Sequence, residues 1–177
     1  MPRSLFVIAP TTFRDEEYLE PRRLLRNAGI EVVTASVAPG LCVGRFGAEA
    51  TAEVAVKDVD GADYDAVVFV GGGGASVYFD DPEAQRVARE ANAAGRLVAA
   101  ICIAPSTLAH AGLLKGVRAT AFPSQRDDLV AHGALWTGAD VETDGLIVTA
   151  SGPEAATAFG RRLVELLAEA TPLSADE

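Results

Sequence analysis

The run Ala99-Ala100-Ile101-Cys102-Ile103-Ala104-Pro105 places a thiol where an apolar stretch gives way to a helix-compatible segment. Small residues at Ala100 and Ala104 suit a tight turn, and Pro105 suits a first helical turn, where its missing N–H would be unpaired anyway. A thiol beside a helix N-terminus feels partial positive charge, which favours thiolate and takes a free-cysteine pKa of about 8.5 down to roughly 3.5–7.5. That arrangement predicts a nucleophilic or oxidation-prone Cys102. The plainer alternative is an inert cysteine filling space under a sheet.

Two further stretches carry chemical promise. Gly71-Gly72-Gly73-Gly74 follows an apolar run, and glycines there let backbone N–H groups face a neighbouring site as an oxyanion hole requires. A phosphate-cradling loop is the rival, but Ser76 stands where a GxGxxG motif needs its last glycine, and no GxxxxGK[ST] run occurs. Asp15-Glu16-Glu17 opens a helical segment, where acidic residues commonly serve the helix dipole. The same residues lie at the end of the first strand, where one carboxylate is placed to meet the thiol.

The elements that must position these groups read as alternating strands and helices. Leu5–Ala9, Glu31–Val37, Ala66–Val70 and Leu97–Ile101 have the unbroken hydrophobicity of strands covered on both faces. Helices are expected over Glu16–Ala28, stopped by Gly29; over Pro82–Ala94, capped by Asp80-Asp81 and ended at Gly95; and over Ala104–Leu114. This alternation predicts an α/β sandwich, a mostly parallel sheet with helices on both faces. Gly44 to Val59 reads as a hairpin or edge ribbon, and Asp144-Gly145 as a hairpin turn between Val141–Thr143 and Leu146–Thr149. A short helix is expected over Ser124–His132, and a last one over Glu154–Ala168 with Phe159, Leu163, Leu166 and Leu167 on one stripe. Residues 1–170 are expected to form one domain and residues 171–177 a frayed tail.

Composition narrows the function classes. Fifteen Lys and Arg against twenty-five Asp and Glu give a net charge of −10, which repels phosphate backbones and anionic membrane surfaces. Nucleic-acid and membrane roles are therefore not expected. Two cysteines, Cys42 and Cys102, make neither a disulfide framework nor a four-thiolate metal site. Leu97 to Leu114 lacks Asp, Glu, Lys and Arg, yet Pro105, His110 and Gly112 mark it as strand, turn and helix of a core rather than a membrane span. With no secretory signal evident, a cytoplasmic protein with reduced thiols is the expectation.

In this order, the pieces resemble the PfpI/ThiJ superfamily, which includes the Parkinson-associated deglycase and the PfpI intracellular proteases and is related to class I glutamine amidotransferases. Phe13-Arg14-Asp15-Glu16-Glu17-Tyr18-Leu19-Glu20-Pro21 is similar to the family's first-helix segment, in which a glutamate stands four positions before a proline; that register selects Glu17. Ala28-Gly29-Ile30-Glu31-Val32, the pair Gly71-Gly72, the AIC-x-x-P elbow from Ala100 to Pro105, and Asp144–Thr149 followed by Gly152-Pro153 match further family motifs. The resemblance covers nearly the whole chain. It implies a flavodoxin-like three-layer sandwich, often dimeric, with Cys102 as nucleophile, Glu17 as its acid partner, and the N–H groups of Gly72 and Ile103 binding an oxyanion.

The departures are informative. The protease-like branch has a histidine directly after the cysteine, where this chain has Ile103. The deglycase has a histidine before a proline where this chain has Phe122-Pro123. His110 lies about two helical turns beyond Cys102, and His132, before Gly133, reads as a helix-end residue, so neither is expected as a catalytic base. Phe122 and Trp136 read as core or dimer-contact residues and Asp127-Asp128 as a solvated helix face, while nothing in the spacing assigns Arg45 a role. The resulting expectation is a stress-related, cysteine-dependent enzyme acting on small carbonyl compounds as a homodimer, with no cofactor and no metal. A redox-responsive stress protein or holdase with an oxidisable Cys102 and no fast turnover is the alternative. A peptidase is third, disfavoured by the missing histidine.

Overall fold

The computed structural model describes residues 1–170. In chain order the first half contains β1 (Arg3–Val7), β2 (Thr11–Phe13), α1 (Asp15–Asn27), β3 (Glu31–Ser36), β4 (Gly40–Gly44), β5 (Glu49–Ala52), β6 (Val54–Ala55) and β7 (Ala66–Phe69). There follow α2 (Pro82–Ala93), β8 (Leu97–Ile101), α3 (Pro105–His110), β9 (Arg118–Ala119), α4 (Arg126–Ala131), β10 (Leu135–Trp136), β11 (Val141–Asp144), β12 (Ile147–Ala150) and α5 (Ala156–Ala170). A seven-stranded sheet runs β11-β12-β8-β7-β1-β3-β6, parallel throughout except for β11, which pairs antiparallel with β12; because Asp144 still pairs with Ile147, the connecting turn is Gly145-Leu146, one residue later than the expected Asp144-Gly145. Gly145 supplies the positive φ, 59°, that such a turn demands.

Period-2 alternation along buried strands explains why they read as continuous apolar runs. In β8, Val98 and Ala100 join a core with Val87 of α2, Leu108 of α3 and Leu129 of α4, whereas Ala99 and Ile101 join the opposite core with Leu25 of α1 and Phe159 and Leu163 of α5. The mostly parallel α/β sandwich follows. Gly29 follows α1 with φ 81°, and Asp81 caps α2 by accepting from the N–H groups of Glu83 and Ala84, each at 3.3 Å.

Several boundaries differ from expectation. The expected ribbon starts earlier, as the β4–β5 hairpin, and β2 joins it in a separate three-stranded sheet. The helix after the elbow stops at His110 instead of reaching Leu114, because Gly112 takes φ 82° and the Leu113 N–H returns to the Leu108 carbonyl, closing the helix end. A single turn of 3-10 helix at Pro153–Ala155 precedes α5, where Phe159, Leu163 and Leu167 are buried and Leu166 is only half-buried. The expected tail at 171–177 lies outside the described residues.

Candidate active site

Cys102 sits between β8 and α3 with φ 65°, one of two non-glycine residues with positive φ among those described. Holding a side-chain-bearing residue there costs on the order of 1–3 kcal/mol and persists only where the surroundings over-determine it. Here the backbone is pinned on both sides: the Cys102 N–H donates to the Ala150 carbonyl at 2.9 Å, and its carbonyl accepts from the Phe122 N–H at 2.8 Å. The bend turns the side chain out of the β8 alternation toward α1, and Cys102 packs in the core on that face, 8% exposed.

Glu17, in the first turn of α1, lies fully buried within the same region. The geometry between them depends on Gly71. A β-carbon at that position would fall 2.6 Å from Cys102 Cβ and overlap Oε1 of Glu17. Only glycine leaves room for the two groups to meet. The next glycines serve a different contact. At Gly72 (φ 97°) a β-carbon would strike the Thr12–Arg14 backbone, and at Gly74 it would strike the Thr11 carbonyl. The glycine run is thus a close-packing floor beneath the Thr11–Arg14 segment, tied to it by the Arg14 N–H to Gly71 carbonyl bond of 2.9 Å.

The electrostatics of the pair reverse one expectation. Burial and the adjacent carboxylate push the Cys102 thiol up to about 12, although the nearby backbone N–H groups of Gly72 and Ile103 work in the other direction. A partial charge at the start of a six-residue helix does not overcome desolvation and a like charge. Glu17 is pushed up to about 7, chiefly by burial, against the pull of the Cys102 thiol, Arg14 and the Gly71 backbone. Neither Glu17 oxygen has a fully formed hydrogen bond, which further favours the protonated acid. At neutral pH the pair therefore retains a proton, and both groups do not ionise together.

The three acidic residues separate cleanly. Asp15 accepts from the N–H groups of Phe46 (2.9 Å) and Ala48 (2.8 Å) and anchors the β4–β5 turn. Glu16 pairs with Arg14 at 2.8 Å, and Glu17 alone reaches the thiol. A cleft of about 210 Å³ opens over Cys102, lined by Arg14, Arg45, Gly72, Ile103, Phe122 and their neighbours. Phe122 and Arg45 are the functional candidates that sequence reasoning misses. Phe122 is 44% exposed at the cleft rather than in the core, brought there by its backbone bond to Cys102. The rings and guanidinium groups of Arg14, Phe46 and Arg45 stack, with Cζ–centroid distances of 4.9 and 5.5 Å. No spacing signal links Phe122 to Cys102; the nearest hint is its place directly before Pro123.

The fold and this site define a flavodoxin-like α/β protein with a strained cysteine elbow facing a buried glutamate. The DJ-1/PfpI family model matches residues 3–166, and the chain belongs to that family. It is 37% identical, over 92% of its own length and 81% of the relative's, to an uncharacterized protein of Methanocaldococcus jannaschii. It is 31% identical to a deglycase of Pyrococcus abyssi, covering 92% of this chain and 98% of that one. A ThiJ/PfpI domain protein from Brachyspira murdochii superposes with a TM-score of 0.93 at 28% identity, covering 96% of this chain and 98% of that one.

Proposed function

We propose that the protein is a cofactor-independent enzyme that uses Cys102 and Glu17 to transform small carbonyl compounds of the α-dicarbonyl type. The observation that carries this reading is the elbow thiol, which lines a small cleft and is set against a buried, proton-retaining carboxyl behind it. Its volume, about 210 Å³, lies below the roughly 300–1,000 Å³ of drug-sized sites and favours a molecule of a few carbons. The deglycase name carried by a relative supports the same substrate class.

In this reading the proton shared by the pair resides on Glu17 when the sulfur attacks an aldehyde carbon. The Gly72 and Ile103 N–H groups stabilise the oxygen charge that develops, and Glu17 delivers its proton to that oxygen. Glu17, now a carboxylate, takes the proton from the former aldehyde carbon to give an enediol and returns it to the adjacent carbon, while the hydroxyl proton passes from the former aldehyde oxygen to the neighbouring oxygen; the adduct is then a thioester. Water then releases a 2-hydroxy acid and restores the thiol. No imidazole is required, which suits Ile103 after the cysteine; peptide hydrolysis, with its poor amine leaving group, gains nothing from this arrangement.

The test is turnover of methylglyoxal by the purified chain. Cys102→Ala abolishes turnover, and Glu17→Gln lowers it by about 10²-fold or more, the scale of a lost general acid–base. Turnover that persists in Cys102→Ala removes the reading.

A further inference from the structure

At the far end of α3 the structure assembles a second group of reactive side chains that the site above does not use. His110, the last residue of α3, meets Asp128 of α4 and His132, the residue that caps α4. His110 Nε2 lies 2.8 Å from Asp128 Oδ2, and its Nδ1 lies 2.8 Å from Asp80 Oδ1. His132 Nδ1 lies 2.8 Å from the main-chain carbonyl of Asp128. The two imidazoles stack with centroids 4.5 Å apart and planes 23° from parallel. One ligand atom from each of His110, Asp128 and His132 lies within 4.8 Å of the other two.

We propose that His110, Asp128 and His132 form a binding site for a divalent transition-metal ion of the zinc type, with Asp80 holding His110 in ligating orientation. Two imidazoles and a carboxylate select such an ion over magnesium or calcium, which prefer all-oxygen shells. Asp128 and His132 are one helical turn apart, the spacing that presents two ligands on one face. Both rings direct Nδ1 toward an oxygen, Asp80 for His110 and the Asp128 carbonyl for His132. Such bonds commonly fix the tautomer of metal-bound histidines and leave Nε2 to ligate.

A tetrahedral site with bonds near 2.0–2.1 Å needs ligand atoms about 3.3 Å apart, so binding requires the ligands to close in and the stacked rings to turn toward a common point. His132, at a helix end with its side chain 38% exposed, is free to supply that adjustment, and the remaining coordination positions face water. The metal would take the place between His110 and Asp128 that their direct contact now fills. The ion would clamp α3 to α4, roughly 12 Å from the elbow by helix rise, without entering the cleft.

The test uses the full chain stripped with a chelator, titrated with Zn²⁺ by calorimetry and with Co²⁺ by visible absorption. One ion per chain binds; His110→Asn and His132→Ala each weaken binding at least tenfold, Asp80→Asn does so severalfold, and Cys102→Ser leaves it within twofold. Because the chain has only two histidines, its imidazole NMR signals belong to this site alone, and Zn²⁺ shifts both in the wild-type protein without recourse to variants. Unshifted imidazole signals, affinity unchanged in both histidine variants, or binding lost with Cys102→Ser would each overturn the proposal.

Discussion

The two cysteines of this chain are both buried, yet they stand in opposite circumstances. Cys42 lies in β4, a regular strand of the small sheet, 2% exposed, with the Gly40 carbonyl at 3.8 Å as a weak hydrogen-bond acceptor. Cys102 occupies a strained bend, touches a buried acid and two N–H groups, and opens to a cleft. Burial alone makes a thiol inert. What distinguishes Cys102 is a partner that can hold or release a proton beside it, together with nearby N–H groups of Gly72 and Ile103 that favour its charge. Reactivity here is a property of the pair and its glycine floor, and the same sulfur in a strand is only packing.

The comparison breaks most severely at Gly71. Gly71→Ala sets a methyl group against Glu17, Cys102 Cβ and the Ile101 carbonyl, the last a backbone atom that cannot move aside. Turnover should fall by about 10²-fold, the scale of an ångström-sized misplacement, and stability by about 1–3 kcal/mol. Kinetics and urea unfolding check both numbers, and near-wild-type values would mean that the pair does not depend on this close approach.

Next in size is a stability effect specific to Glu17. Its pKa rises from 4.5 to about 7 on folding, so the folded chain binds the proton more tightly than the unfolded chain. The favourable contribution is complete below the unfolded value and is lost as pH climbs through the folded one, a fall of at most about 3 kcal/mol. Glu17→Gln cannot titrate. Its urea midpoint should therefore vary less than wild type between pH 4.5 and 7, and it should be the more stable of the two above pH 7.

Smaller, but directly comparative, is oxidation. Under mild peroxide Cys102 should gain two oxygens at least tenfold faster than Cys42, read by intact mass and peptide mapping. Equal oxidation of the two thiols would erase the distinction drawn here.

How much of this is legible in the chain depends on the range of the interactions. Strands at Ala66–Phe69 and Leu97–Ile101, the Asp81 cap and, shifted by one residue, the hairpin at Gly145 are readable because local pattern and tertiary demand agree there. The apolar run to Leu114 suggests a longer α3, but Gly112 inside it is the stop signal that the fold obeys. The direction of the Cys102 shift escapes sequence reasoning for a deeper reason. The helix terminus is adjacent in sequence and visible, whereas burial and Glu17 come from tertiary packing and dominate. Asp128 reads as part of a solvated face, yet it lies between two histidines contributed by separate helices. Nothing in the spacing of these residues announces that meeting.

The most direct test of the coupled pair is the pH dependence of Cys102 alkylation by iodoacetamide, in wild type and in Glu17→Gln. With Glu17 near 7 and the thiol near 12, the wild-type rate should rise in two phases, one as the pair loses its first proton and another toward high pH. Glu17→Gln should collapse this to a single phase. Identical single-step profiles in the two proteins, centred on the ordinary thiol value of about 8.5, would contradict the account.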